Sequence, residues 1–326
     1  MDTVLTIVMY HYVRDLRRSR YPEIKGLSTD QFREQIDYII KHYHVISGDD
    51  LLDAVIGRAP LPPRALLLTF DDGYIDHFTQ VFPILDDRRL SACFFPPVRP
   101  VLEDCVLDVN KIHFILAAVA NKQALVEHVF NLLDIYQNPF ALPDKETYWR
   151  RLAKPGRYDA KEVIFLKRIL QRELPPALRQ IILNDLFRQH VSGDEAAFAR
   201  ELYMSVDQIK CLHRHGMTIG SHGYNHVWLN SLDAEGQAEE IDRSLVFLNS
   251  IGVQPDRWIM CYPYGARDDS LLSILAQRGC TVGLTTEIGL ADLRRQHNLI
   301  LPRLDTNDLP KDAGGTPNHW TEQVMS

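Results

Sequence analysis

The sequence predicts an α/β fold: a distorted seven-stranded, TIM-like (β/α) barrel with a helical insertion. Three observations point there. Short β-rich runs alternate with amphipathic helical runs, the pattern of a parallel sheet. Polar residues suited to chemistry follow the ends of six of the runs: His11, Asp71 with Asp72, His222 with His226, Tyr264, Thr285 and Arg303. Between residues 101 and 200 the alternation stops and only a helical period remains. An open doubly wound sheet is the alternative. Closure is favoured because the C-terminal strand ends of a β/α barrel form one face, where six separate segments can converge.

Val4–Tyr10 is the first strand-like run. A capping box, Ser28-x-x-Gln31, opens a helix with Phe32, Ile36, Ile39, Ile40 and Tyr43 at helical spacing. The breaker run Pro60-Leu61-Pro62-Pro63 introduces a second strand over 65–70. A helix from about Ile75 to Arg89 follows, with Pro83 expected to kink it. A third strand, 91–95, ends at Pro96-Pro97. The helical stretch carries Ile112, Ile115, Leu116 and Val119, then Leu125, Val129 and Leu132, then Ile164, Leu166, Ile169 and Leu170, then Ile181, Ile182, Leu186 and Phe187. The chain therefore divides into a barrel, 1–100 and 201–326, and a helical insertion, 101–200, which has the size of a small domain. A second capping box, Ser205-x-x-Gln208, opens a helix ending near His215. The fourth strand is 217–221 and the fifth 258–262, with a long amphipathic helix over 233–250 between them. A helix over 268–277, a sixth strand Cys280–Leu284 and a seventh at 299–303 complete the pattern.

Composition narrows the function. A formal net charge of -7 argues against nucleic acid as a partner. Five cysteines, an odd number with no pair at CxxC spacing, read as reduced thiols. No window approaches a membrane span. The first residues, MDTVLTIVMYHYV, lack a basic n-region and a full-length apolar core, so a cytoplasmic location is expected.

Two segments carry chemistry. Thr69-Phe70-Asp71-Asp72-Gly73-Tyr74 places adjacent carboxylates at the end of an apolar strand. Two like charges so close are unfavourable unless a cation lies nearby; helix capping is the plainer alternative. Ser221-His222-Gly223-Tyr224-Asn225-His226 places two imidazoles four residues apart, the spacing with which a helical turn holds one metal. Chance HxxxH pairs are common among thirteen histidines, but this one follows a strand. One Asp with two His makes a three-ligand set with open positions, the catalytic rather than the structural zinc pattern. In Cys261-Tyr262-Pro263-Tyr264-Gly265, the proline and glycine force a turn in which the Tyr264 N–H can face a pocket.

TFDDGY, SHGYNH and YPYG, in that order, resemble the first three motifs of the polysaccharide deacetylases, also called the NodB homology domain or carbohydrate esterase family four. The resemblance covers roughly residues 1–97 and 205–306 and leaves the insertion out. It implies Asp71 as general base, Asp72, His222 and His226 as metal ligands, the Tyr264 backbone in the oxyanion hole, and a distorted β/α barrel of NodB type. The sequence departs from the family in three ways. Cys261 stands where an arginine usually orients the base. The late Leu-x-His motif that supplies an acid is replaced by Leu301-Pro302-Arg303-Leu304-Asp305. The family is mostly exported, whereas no signal peptide is visible. Met9-Tyr10-His11-Tyr12-Val13 is similar to a segment of biofilm poly-N-acetylglucosamine deacetylases, in which the strand order is permuted and an N-terminal histidine is the acid. His11 is then the acid candidate, and Arg303 the candidate to replace the missing arginine. The expected function is metal-dependent removal of an N-acetyl group from an amino sugar, with zinc the default ion and another divalent metal an alternative. Expected substrates are nucleotide- or lipid-linked intermediates of O-antigen or capsule biosynthesis. A deformylase or O-deacetylase using the same site, and an inactive glycan-binding domain, are the alternatives.

Overall fold

The computed structural model describes residues 4–156 and 159–325; the first three residues of the N-terminal segment lie outside it. Two compact units emerge. The first comprises Met1–Asp15, Lys25–Asp104 and Arg200–Ser326, and the second Leu16–Ile24 with Cys105–Ala199.

The first unit is built on β1 (Val4–Tyr10), β2 (His44–Ile46), β3 (Ala65–Asp71), β4 (Cys93–Phe95), β5 (Thr218–Ile219), β6 (Trp258–Cys261), β7 (Cys280–Leu284), β8 (Ala291–Asp292) and β9 (Leu304–Asp305). β1 pairs in parallel with β3, Val8 opposite Leu68, and β3 with β4, Asp71 opposite Phe95. β4 pairs with β5, β9 with β1, and β6 with β7, all in parallel. Single bridges join Ser221 to Met260 and Leu284 to Leu301. Every residue of β3 is buried, as expected of a parallel strand covered on both faces. Its side chains alternate between two cores. Leu66, Leu68 and Phe70 pack with helical residues such as Ile36, Leu212 and Leu248. Ala65 and Leu67 pack with Ile7, Phe95, Ile259 and Val282 from other strands and with Leu301.

Four sequence expectations need correction. The seventh strand is not 299–303: Leu299 lies in a 3₁₀ turn, Asn298–Ile300, and the paired segment is β9. Pro302 has no N–H to give a ladder, so it separates the Leu301 bridge from β9. The helix after β3 does not run evenly from 75 to 89. A π-helical turn, His77–Val81, precedes a short α-helix, Phe82–Asp87. Pro83 sits at the start of that helix, where its missing N–H costs little. Ile40 and Ile181 face solvent although their spacing suggested core. The second strand also extends one residue further, so Asp71 belongs to β3 itself. Both capping boxes form, at Ser28 and at Ser205.

The second unit is helical, with no strand among its described residues. Helices Asp108–Ala118, Lys122–Tyr136, Lys161–Arg168 and Pro176–His190 bury Ile112, Phe114, Val129, Phe165, Ile182 and Phe187. Lys111 is deeply buried and donates to Asn184 at 2.6 Å and to Glu195 at 2.8 Å. No described helix of the chain is long and apolar enough to cross a membrane.

Candidate active site and metal centre

The site gathers at the C-terminal ends of β1, β3 and β6 and in the loop after β5. Asp71 closes β3, and the chain then turns sharply. Asp72 and Gly73 both adopt left-handed backbone, with φ of 72° and 64°. A Cβ on Gly73 would stand 2.9 Å from Pro96 Cα, so only glycine fits this turn. The turn aims the two adjacent carboxylates differently.

Asp72 Oδ1 lies 3.3 Å from His222 Nε2 and 3.2 Å from His226 Nε2. Neither contact forms a hydrogen bond, and Oδ1 is buried with no partner among the described residues. Oδ2, in contrast, accepts from the Tyr74 hydroxyl at 2.6 Å. His222 Nδ1 lies 2.7 Å from the Cys261 carbonyl, which can only accept. The Nδ1 proton is therefore fixed and the Nε2 lone pair faces Asp72, the outer hydrogen bond expected of a metal-binding imidazole. One ligand atom from each of the three residues lies within 4.8 Å of the others. A buried oxygen without a hydrogen bond, facing two imidazole nitrogens, fits a divalent cation.

Asp71 faces the other way. Arg303 Nη1 donates to its Oδ1 at 2.9 Å and Nη2 to its Oδ2 at 2.8 Å. Arg303 also donates to Thr69 Oγ1 at 3.1 Å and, from Nε, to the Thr285 carbonyl at 2.8 Å. The guanidinium is thus held from three sides, on a side chain that is fully buried. Burial pushes the Asp71 carboxyl up, but Arg303 outweighs it and sets the group at about 2. Cys261, in the arginine position of the third motif, is buried beside Asp71 and His222, and burial raises its thiol.

His11 Nε2 stands 3.9 Å from Asp71 Oδ2, with 42% of its side chain exposed. Tyr264 sits in the tight turn Pro263–Gly265 with φ of 59°. Its ring stacks on Trp228, centroids 4.5 Å apart, and meets His226 edge-on at 4.8 Å. Asp72, His226 and Tyr264 are three of seven left-handed non-glycine residues among those described. Each such conformation costs about 1–3 kcal/mol and persists where the surroundings over-determine it, commonly at functional sites.

The seven residues expected to have catalytic or metal roles therefore lie together, and Thr285 meets them through its carbonyl on Arg303. Sequence reasoning missed the residues that shape them. Glu240 is buried and accepts from the Tyr224 N–H at 3.0 Å and the Asn225 N–H at 2.9 Å, so it pins the loop between the two histidines. Its signal was available: Gln237, Glu240 and Ser244 are polar residues on the buried stripe of helix Ala234–Ser250. Tyr74 was legible only as the last residue of the TFDDGY motif, and His77 only as the acid candidate next after His11.

Residues 187–283 match the family described as polysaccharide deacetylase. The resemblance read from the motifs is thereby borne out. Among curated relatives, the poly-beta-1,6-N-acetyl-D-glucosamine N-deacetylase of Escherichia coli (strain K12) is 33% identical over 90 residues, which is 27% of this chain and 13% of that protein. The Streptococcus pyogenes deacetylase PplD, solved in complex with acetate, has 16% identity and a TM-score of 0.59, covering 99% of this chain and 96% of that one. IcaB from Ammonifex degensii has 18% identity and a TM-score of 0.52, covering 99% and 97%. These structural likenesses show a shared α/β fold.

Proposed function

We propose that this chain hydrolyses the N-acetyl group of an amino sugar within a glycan or glycan precursor, with a divalent ion held by Asp72, His222 and His226. The observation that carries the reading is Asp72 Oδ1, buried, without a hydrogen bond, between two imidazole Nε2 atoms. Zinc suits this one-carboxylate, two-imidazole set. A bound ion there would polarise the acyl oxygen and make a coordinated water more acidic.

The chain's own residues supply the rest. Asp71 is ionised at neutral pH and accepts a proton from water as the water oxygen bonds to the acyl carbon. Arg303 holds both Asp71 oxygens in place. The Tyr264 N–H donates to the oxyanion that develops on the acyl oxygen. His11 gives a proton to the sugar nitrogen as the C–N bond breaks, its electron pair going to nitrogen. Acetate and an amino sugar result.

Closure of seven parallel strands belongs to the same reading. It is supported by the Ser221–Met260 and Leu284–Leu301 bridges and by β9 on β1, and it accompanies a division into a barrel, within 1–100 and 201–326, and an insertion, 101–200, with Leu16–Ile24 grouped with the helical unit rather than with the barrel. All five cysteines are free. That supports a reducing, cytoplasmic setting and a nucleotide- or lipid-linked precursor of O-antigen or capsule as substrate.

The test is acetate release from N-acetylglucosamine oligomers, measured before chelation, after it, and after zinc is returned. Acetate release that stops on chelation and returns with zinc is expected. Binding of the oligomer without acetate release, or release indifferent to chelation, would overturn the reading.

A further inference from the structure

His77 was not part of any motif, and the chemistry above does not use it. It is fully buried, in the π-helical turn that follows the carboxylate pair. Turns of this kind occur mostly inside helices at functional sites. Phe70, Tyr74 and Phe94 surround its ring, with centroids 5.5, 5.7 and 5.9 Å away. In this aromatic cage its Nδ1 has no hydrogen-bond partner among the described residues. Its Nε2 lies 2.9 Å from the main-chain carbonyl of His11, and since a carbonyl only accepts, Nε2 donates.

The cage would be filled at lower cost by an apolar side chain, because an unpartnered buried nitrogen is unfavourable. A histidine here makes sense through its single hydrogen bond. That bond falls on His11, whose own side chain is half in solvent and 3.9 Å from Asp71, so little on the imidazole itself fixes its place. The residues that follow are tied to the same segment: Tyr12 stacks on Tyr74, centroids 4.0 Å apart, and Arg14 Nε donates to Asp76 at 2.7 Å.

We propose that His77 is a positioning residue for His11, its Nε2–H holding the His11 carbonyl so that the imidazole stands beside Asp71. The inference rests on the reading of His11 as the proton donor. Burial lowers the His77 pKa to about 4, so the ring is neutral at working pH and keeps its one proton for this bond.

The experiment compares an amide, N-acetylglucosamine oligomer, with an ester, 4-nitrophenyl acetate. The nitrophenolate leaves without a proton, whereas the amine does not. His77→Phe should lower the amide-to-ester ratio of kcat about 10–100-fold, the scale of a misplaced catalytic group. His77→Gln, which can still donate to the carbonyl, should restore most of it. His11→Ala should lower the same ratio at least as far. If His77→Phe does not fold, His77→Leu makes the same comparison. An equal loss on both substrates, an unchanged ratio, or a Gln variant no better than Phe overturns the positioning role while leaving His11 as donor. An unchanged ratio in His11→Ala overturns the donor reading and the inference with it.

Discussion

Tyr74 donates its hydroxyl to Asp72 Oδ2 at 2.6 Å and thereby leaves Oδ1 to face the two imidazole Nε2 atoms. In the proposed metal site the phenol orients a ligand rather than touching the ion. Tyr74→Phe is therefore expected to fold and to bind zinc about 10–100-fold more weakly, as outer-shell losses do. Competition with a chromogenic chelator measures this, and an unchanged affinity would remove Tyr74 from the metal centre.

Asp71 and Asp72 are adjacent but face different partners, so their variants should differ. Asp71→Asn should keep about one zinc per chain and lose turnover, since the amide cannot take a proton. Asp72→Asn and His222→Ala should lose the metal. Elemental analysis beside acetate release gives both values. Equal metal content and equal activity in the two aspartate variants would contradict the division of roles.

Removing Arg303 should be costly because it strands a buried carboxylate. Arg303→Met is expected to destabilise the fold by about 3–5 kcal/mol in urea unfolding at neutral pH. The pH dependence has a definite sign. The Asp71 carboxyl titrates at about 2 in the folded chain against an ordinary 3.8. Its stabilising contribution, on the order of 2 kcal/mol, is full above pH 3.8 and is lost as pH falls toward 2. The part of the acid destabilisation due to Asp71 should vanish in Asp71→Asn. Urea midpoints of wild type and variant that fall in parallel across that window would argue against it.

Glu240 acts on the histidine loop without reaching the ion. Glu240→Ala leaves the Tyr224 and Asn225 N–H groups without their acceptor, at about 1–3 kcal/mol for each that stays buried. Both thermal stability and zinc affinity should fall, whereas a distant destabilising change should affect only the first. Differential scanning calorimetry of metal-free protein, set beside a zinc titration, separates the two effects.

What was legible in the sequence and what was not divides along physical lines. The proposed ligands and base were legible because they sit at consecutive or i, i+4 positions where apolar runs end, so local spacing alone brings them close. Arg303 was legible by its place after the last apolar run and by the vacancy that Cys261 leaves. Glu240 and the hold of His77 on the His11 carbonyl were not, because both work through main-chain atoms of other segments, and any residue type can present an N–H or a carbonyl. The seventh strand was misplaced because an apolar run marks burial and not pairing, and Pro302 interrupts the ladder inside that run. Ile181 stands in an apolar pair with the buried Ile182, but consecutive helical residues point about 100° apart, and it faces solvent.

Asp71 and Arg303 are 232 residues apart in the chain. A ribosome that has just delivered the carboxylate needs on the order of ten seconds or more to deliver the guanidinium that clamps it, at about 5–20 residues per second. Until then the growing chain has a base with nothing to aim it and a sheet whose first strand still lacks β9 as a neighbour. The pairing of Asp71 with Arg303 is thus acquired all at once, when residue 303 is delivered, and a product stalled before that point would lack the clamp.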